Sequence, residues 1–286
     1  MATRIDEQLH AWDEGRAYAD LSAWRALRVD GDDAVGWLQD LLSADVASLA
    51  PGTAGASLLL TATGRIRAAL WVARASDAVW LVQSPGQPEP VGTILDPYTL
   101  SSDVRLVQSE VGFLAVPGRA AGPFAGVSVS PSWLGEAVDV LAPGPVARTA
   151  LAEAGLVPLE EEAVEALRIV RGRPLMGTDF GPEHLAAEAG MDTAIAHDKG
   201  CFLGQESVAK VRNLGHPPTV LLHVRAEGPL RAGEPVRADG SAVGSVTSAA
   251  IVRGAGVGFA RVRWEARDRP LASSTGGALP AVPPPA

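Results

Sequence analysis

Asp198-Lys199-Gly200-Cys201-Phe202-Leu203-Gly204-Gln205-Glu206 is the run from which the rest of the chain can be read. It holds the only cysteine among 286 residues. Gly200 and Gly204 bracket that cysteine, and glycines there suit a backbone that turns sharply or lies against a ligand. Gln205 to Arg212 (QESVAKVR) has the composition of a short helix beginning near Gly204. A thiol just ahead of a helix N-terminus, with Lys199 beside it favouring the thiolate, is expected to be more reactive than an ordinary cysteine. A buried, inert loop cysteine is the other reading. The crowding of special residue types around Cys201 favours the reactive one.

The run matches K-G-C-x-x-G-Q-E, and in that respect the chain resembles the YgfZ family. That family is similar in fold to the glycine-cleavage T-protein, the aminomethyltransferase. The resemblance implies an α+β fold: a T-protein-like folate-binding module followed by a small C-terminal antiparallel β-barrel. It also implies a tetrahydrofolate-binding accessory role in assembly or repair of iron–sulfur enzymes, with client or assembly proteins as partners. Cys201 would be the working residue, assisted by Lys199. Gly200 and Gly204 would admit a ligand, and Gln205 and Glu206 would fix the loop or cap the helix. Iron binding, acceptance of a one-carbon unit and thiol exchange all remain open for the thiol.

Upstream, Leu167-Arg168-Ile169-Val170-Arg171-Gly172-Arg173-Pro174, with Gly177 and Asp179, extends the resemblance. In the T-protein version of this run a glutamate contacts the pterin, and Val170 stands in its place. Arg168, Asp179 and Glu188 are then the candidate folate contacts. Arg168, Arg171 and Arg173 read either as a clamp for a glutamate tail or as cations complementing a helix C-terminus. A second departure lies in the strand Arg67-Ala68-Ala69-Leu70-Trp71, which has no carboxylate where the T-protein has an aspartate. Aminomethyl transfer needs a group to manage protons there. The transferase or demethylase activity on a small amine is therefore the alternative function.

Helical spacing of Ile5, Leu9 and Trp12 predicts a helix at the start, and Leu21–Val29 reads as a strand. Asp32 or Asp33 is a candidate N-cap for a helix carrying Val35, Leu38, Leu41 and Leu42. Strands follow at Ala56–Thr61, Arg65–Ala73 and Ala78–Val82. A Pro/Gly loop with a short helix at Val91–Leu95 comes next, then strands at Asp103–Val107, Gly112–Val116 and Ala137–Leu141. Arg119–Phe124, Val146–Ala154 and Leu159–Arg171 read as helices, and Glu160-Glu161-Glu162 as a solvated first turn. From Thr219 short strands alternate with turns, and Asp239-Gly240 is a hairpin signal. The domains are placed at residues 1–215, the composite folate-type module of two interleaved subdomains, and 216–267, the barrel. Residues 268–286 read as a disordered tail, since 271–286 lack charge and end in prolines.

A formal net charge of −9 argues against sequence-independent nucleic-acid binding. No apolar run approaches the about 20 residues of a membrane span, and the N-terminus lacks a secretory core, so a cytoplasmic setting is expected. One cysteine makes no internal disulfide and cannot alone hold a cluster, which usually takes four cysteine ligands. His184, His197 and Cys201 offer two or three zinc-ligand types, but no Cys-x-x-Cys accompanies them, which argues against a metal site.

Overall fold

The computed structural model describes residues 3–118 and 126–282. The helix expected at 119–124 lies outside them.

Thr3 and Asp6 close a capping box at the start of α1 (Arg4–Asp13), whose Leu9 and Trp12 are buried as their spacing predicts. β1 (Ala17–Asp20) and β2 (Arg25–Asp30) follow, then α2 (Ala34–Leu41). The predicted strand at 21–29 is thus shifted: its first residues form the corner between β1 and β2. Asp33 stands at the N-cap of α2 but makes no cap bond. Its carboxylate instead accepts the backbone N–H of Asp103 at 2.8 Å, tying two loops together.

The hairpin β3 (Ala54–Leu60) and β4 (Ile66–Arg74) leads to β5 (Val79–Gln83), α3 (Val91–Leu95) and β6 (Arg105–Ser109). β7 (Val111–Pro117), β8 (Val127–Val129), β9 (Ala137–Pro143), α4 (Gly144–Glu153) and β10 (Val157–Pro158) precede α5 (Glu161–Val170). Short 3-10 turns then lead to α6 (Gln205–Leu214). β11 (Thr219–Ala226), β12 (Pro235–Ala238), β13 (Ser241–Val252), β14 (Ala255–Arg263), β15 (Ala272–Ser273) and β16 (Gly277–Ala278) complete the chain.

The strands form three sheets. Their orders are β10-β1-β7-β9-β8, β3-β4-β5-β2-β6 and β11-β14-β13-β12-β15-β16. The chain enters the first sheet with β1, builds the second from β2 to β6, and returns to the first with β7. Leu38 and Leu42 pack α2 onto Leu59, Val72 and Leu81 of the second sheet. Ala163, Ala166 and Leu167 pack α5 with Phe113 and Trp12 in the core beside the first. Each such fully buried large side chain stabilises the fold by about 1.5–3 kcal/mol relative to exposure.

The third sheet is antiparallel and curled, as expected. Asp239 (φ 48°) and Gly240 (φ 79°) are both left-handed, the pair of angles a two-residue type I′ hairpin demands. The expected disorder of 268–286 is corrected for 268–282. Leu271 and Leu279 are buried among Val224, Val236 and Val262, and β15 pairs with both β12 and β16. Glu234 holds this return. Burial opposes its charge, but hydrogen bonds from Thr275 and Ser274 prevail and bring its carboxyl down to about 2. Low charge signalled disorder, yet the segment buries enough apolar surface to stay on the sheet.

Candidate functional site

The thiol loop is built by three anchors. Gly204 has φ +85°, and a Cβ there would come within 2.5 Å of the Thr61 carbonyl, so only glycine fits. The Ser207 hydroxyl donates to the Ala62 carbonyl at 3.0 Å, docking the start of α6 on the β3–β4 turn. Phe202 is buried with Leu58, Leu60, Ile66, Phe180 and Ile195. Cys201, next to that buried ring, is exposed. Nothing lies within 4 Å of where a Cβ on Gly200 would sit, so the space beside the thiol is open.

The hydrogens of the Lys199 ammonium are engaged by backbone carbonyls. It donates to the carbonyls of Gln39, Leu42 and Ala44 at 2.5, 2.6 and 2.8 Å, closing the C-terminal end of α2. Burial lowers its pKa to about 8, with Asp45 and Asp40 opposing, so it is protonated at neutral pH and all three hydrogens are engaged. Lys199→Met is therefore expected to leave these carbonyls unpaired. The expected loss is about 2–3 kcal/mol, seen as a fall in Tm of roughly 3–5 °C. An unchanged Tm with slowed alkylation of Cys201 would return Lys199 to the thiol.

Arg168, Asp179 and Glu188 fall into a joint between the module and the curled sheet. Arg168 is 2% exposed, and its guanidinium donates to Asp179 Oδ2 at 2.8 Å, to the Arg173 carbonyl at 3.0 Å and to both oxygens of Glu165. Asp179 also accepts from the Leu175 N–H (2.9 Å), Thr247 (2.7 Å) and Ser248 (2.6 Å). Glu188 accepts from Thr219 at 2.8 Å and from the Leu185 N–H at 3.1 Å. Arg261 donates to the carbonyls of Asp179 and Glu188. The acceptors of Asp179 and Glu188 are thus used within the protein, and neither residue lines the largest cavity.

That cavity measures about 1160 Å³ and lies where the module meets the curled sheet. Trp24, Trp133, Leu175, Ala250 and Ile251 supply apolar wall. Trp24 and Trp133 meet edge to face, ring centres 4.6 Å apart. One face of α5 supplies Glu161, Glu165 and Arg168, with Glu162 beside them. Glu161 and Glu162 of the acidic start of α5 are exposed, as a solvated face requires, and also border the cavity, while Glu160 pairs with Arg4. The i, i+4, i+7 spacing of 161, 165 and 168 was the signal available for that border. A small extension beyond Trp24 and Trp133 is lined by Ala69, Leu70 and Trp71 of β4, with Gln87 and Met191. β4 presents no carboxylate there. Val170 turns the other way and packs beside Ile169, Leu221, Val257 and Phe259. Of the expected folate contacts, Arg168 alone lines this cavity, and Gly200, Gly204, Gln205 and Glu206 lie outside it.

The arrangement has the size, ring faces and acceptors that a pterin needs. Its carboxylates suit a donor-rich amino-pyrimidine edge, so the lining fits a pterin ring.

The whole architecture superposes on the crystal structure of the glycine cleavage system aminomethyltransferase T from Bartonella henselae. The TM-score is 0.79, at 22% identity, over 98% of this chain and 88% of that one. The fold is that of an aminomethyltransferase. Residues 1–125 match the model of the GCVT N-terminal domain. A chloroplastic protein of Arabidopsis thaliana, named as a candidate transferase, is 27% identical over 282 residues, covering 85% of this chain. An aminomethyltransferase of Streptomyces avermitilis is 36% identical over 104 residues, covering 35% of this chain. The chain spans 64% of the length of the first and 28% of the second. On this aminomethyltransferase fold, among the described residues, no helix is long and apolar enough to cross a membrane.

Proposed function

We propose that the protein binds tetrahydrofolate in the large cavity and supports assembly or repair of iron–sulfur enzymes through Cys201. The observation that carries the folate half is the cavity itself, lined by an edge-to-face tryptophan pair and by carboxylates of α5. Trp24 and Trp133 flank the flat ring, and Glu161 and Glu162 accept from its amino edge. Arg168 keeps Glu165 oriented. Bound tetrahydrofolate would supply a one-carbon carrier. The iron–sulfur half rests on the signature around Cys201 and its exposure beside open space.

Anaerobic calorimetric titration with tetrahydrofolate tests the pocket. Saturable binding is expected, and Trp24→Ala is expected to weaken it about tenfold, or about 1.4 kcal/mol, by removing one ring face. Absence of binding at millimolar ligand would end the folate reading. A one-carbon transferase acting on a small amine is the second reading, favoured by the fold. The bare face of β4 opposes it, because no carboxylate stands there to manage protons. Formation of methylenetetrahydrofolate from an aminomethyl donor would decide for the transferase.

A further inference from the structure

A second cavity, of about 520 Å³, lies on the other side of the module. Its walls are one face of α6 (Val208, Val211, Arg212), the 3-10 segment around Leu185 and Ile195, and Val220, Leu221 and Leu222 of β11. It shares no residue with the large cavity. Its volume falls in the range of small-molecule sites, and it sits between two structural units, where such sites concentrate.

The lining of this cavity is mainly aliphatic and carries a few charged and titratable side chains. Arg212, Arg267, His197 and His216 stand there against one carboxylate, Asp192. Arg267 is committed: it lies 3.7 Å over the Trp264 ring and pairs with Asp268. His216 stacks on the same tryptophan, with ring centres 5.0 Å apart and planes within 2°. These contacts make a rigid rim. Arg212 differs from them. It is exposed and, among the described residues, forms no ion pair within 4 Å, although its charge acts on Asp192 in the same cavity. It also lines a smaller adjoining cavity of about 190 Å³ with Phe202 and Gln205, which reaches back to the thiol loop. An aliphatic cleft ending at an unpaired guanidinium fits an apolar body with one acidic end.

We propose that this cavity is a separate ligand site for a small amphiphilic monoanion. The apolar body lies along Val208, Val211, Leu221 and Leu222, and the acidic group meets Arg212. Because α6 begins just after Cys201, a ligand seated here also braces the helix that carries the thiol loop.

Calorimetry of the full chain with octanoate, 2-naphthoate and the neutral control octanol tests this. At least one acid is expected to bind saturably at one site, and octanol at least about tenfold more weakly, since it lacks the charge that Arg212 meets. Preference for octanoate assigns an acyl body, and preference for 2-naphthoate a ring. Val211→Trp, which fills the cleft, is expected to abolish binding. Arg212→Glu changes an exposed side chain, is expected to keep the wild-type Tm, and should weaken the acid at least about tenfold. Failure of both acids to bind at millimolar concentration, or wild-type affinity in a folded Arg212→Glu, would overturn the proposal.

Discussion

Replacing Asp179 by alanine is expected to destabilise the protein by about 3–5 kcal/mol, read as a fall in Tm of roughly 5–8 °C. The substitution removes the buried one of the two carboxylates that balance Arg168, itself 2% exposed, and leaves it only the half-exposed Glu165. It also leaves the hydroxyls of Thr247 and Ser248 and the Leu175 N–H without their acceptor. Removing one partner of a buried pair is far more damaging than replacing both. The double variant Arg168→Met, Asp179→Leu is therefore expected to recover a substantial part of the loss. Thermal and urea unfolding of the wild type and both variants make the measurement. A loss below about 1 kcal/mol in Asp179→Ala would mean that the ion pair is not what joins the module to the curled sheet.

Cys201→Ala is expected to act on function alone. The side chain is exposed and lies outside both large cavities, so Tm and tetrahydrofolate affinity should match the wild type. In cells lacking the native gene, activity of a dependent iron–sulfur enzyme should not be restored by the variant. The separation matters, because a structural cysteine would lower stability and function together. Full restoration by Cys201→Ala would remove the thiol from the mechanism.

The two experiments probe different consequences of one arrangement. α5 presents Glu161 and Glu165 to the large cavity, while Arg168 on the same face reaches past Glu165 to Asp179. The joint and the cavity wall are thus continuous, and Asp179→Ala is expected to disturb folate binding by loosening α5. Cys201→Ala leaves that wall intact.

Local pattern determined much of the fold without help. The capping box of Thr3 and Asp6, the β3–β4 hairpin, the short helix at Val91–Leu95, and the Asp239-Gly240 turn each depend on neighbours within a few residues. Those interactions are written in consecutive sequence, so spacing suffices to read them. The motif around Cys201 was legible for the same reason: Gly204 and the helix after it are local features. Tertiary structure alone decided where the charged groups went. Lys199 finds carbonyls more than 150 residues upstream, and Asp179 finds hydroxyls nearly 70 residues downstream. Buried charges must be paired wherever the fold brings a partner, and one-dimensional spacing does not carry that partner's address. The two cavities belong to the same class, since each is enclosed by elements from distant parts of the chain that meet only after the sheets have packed.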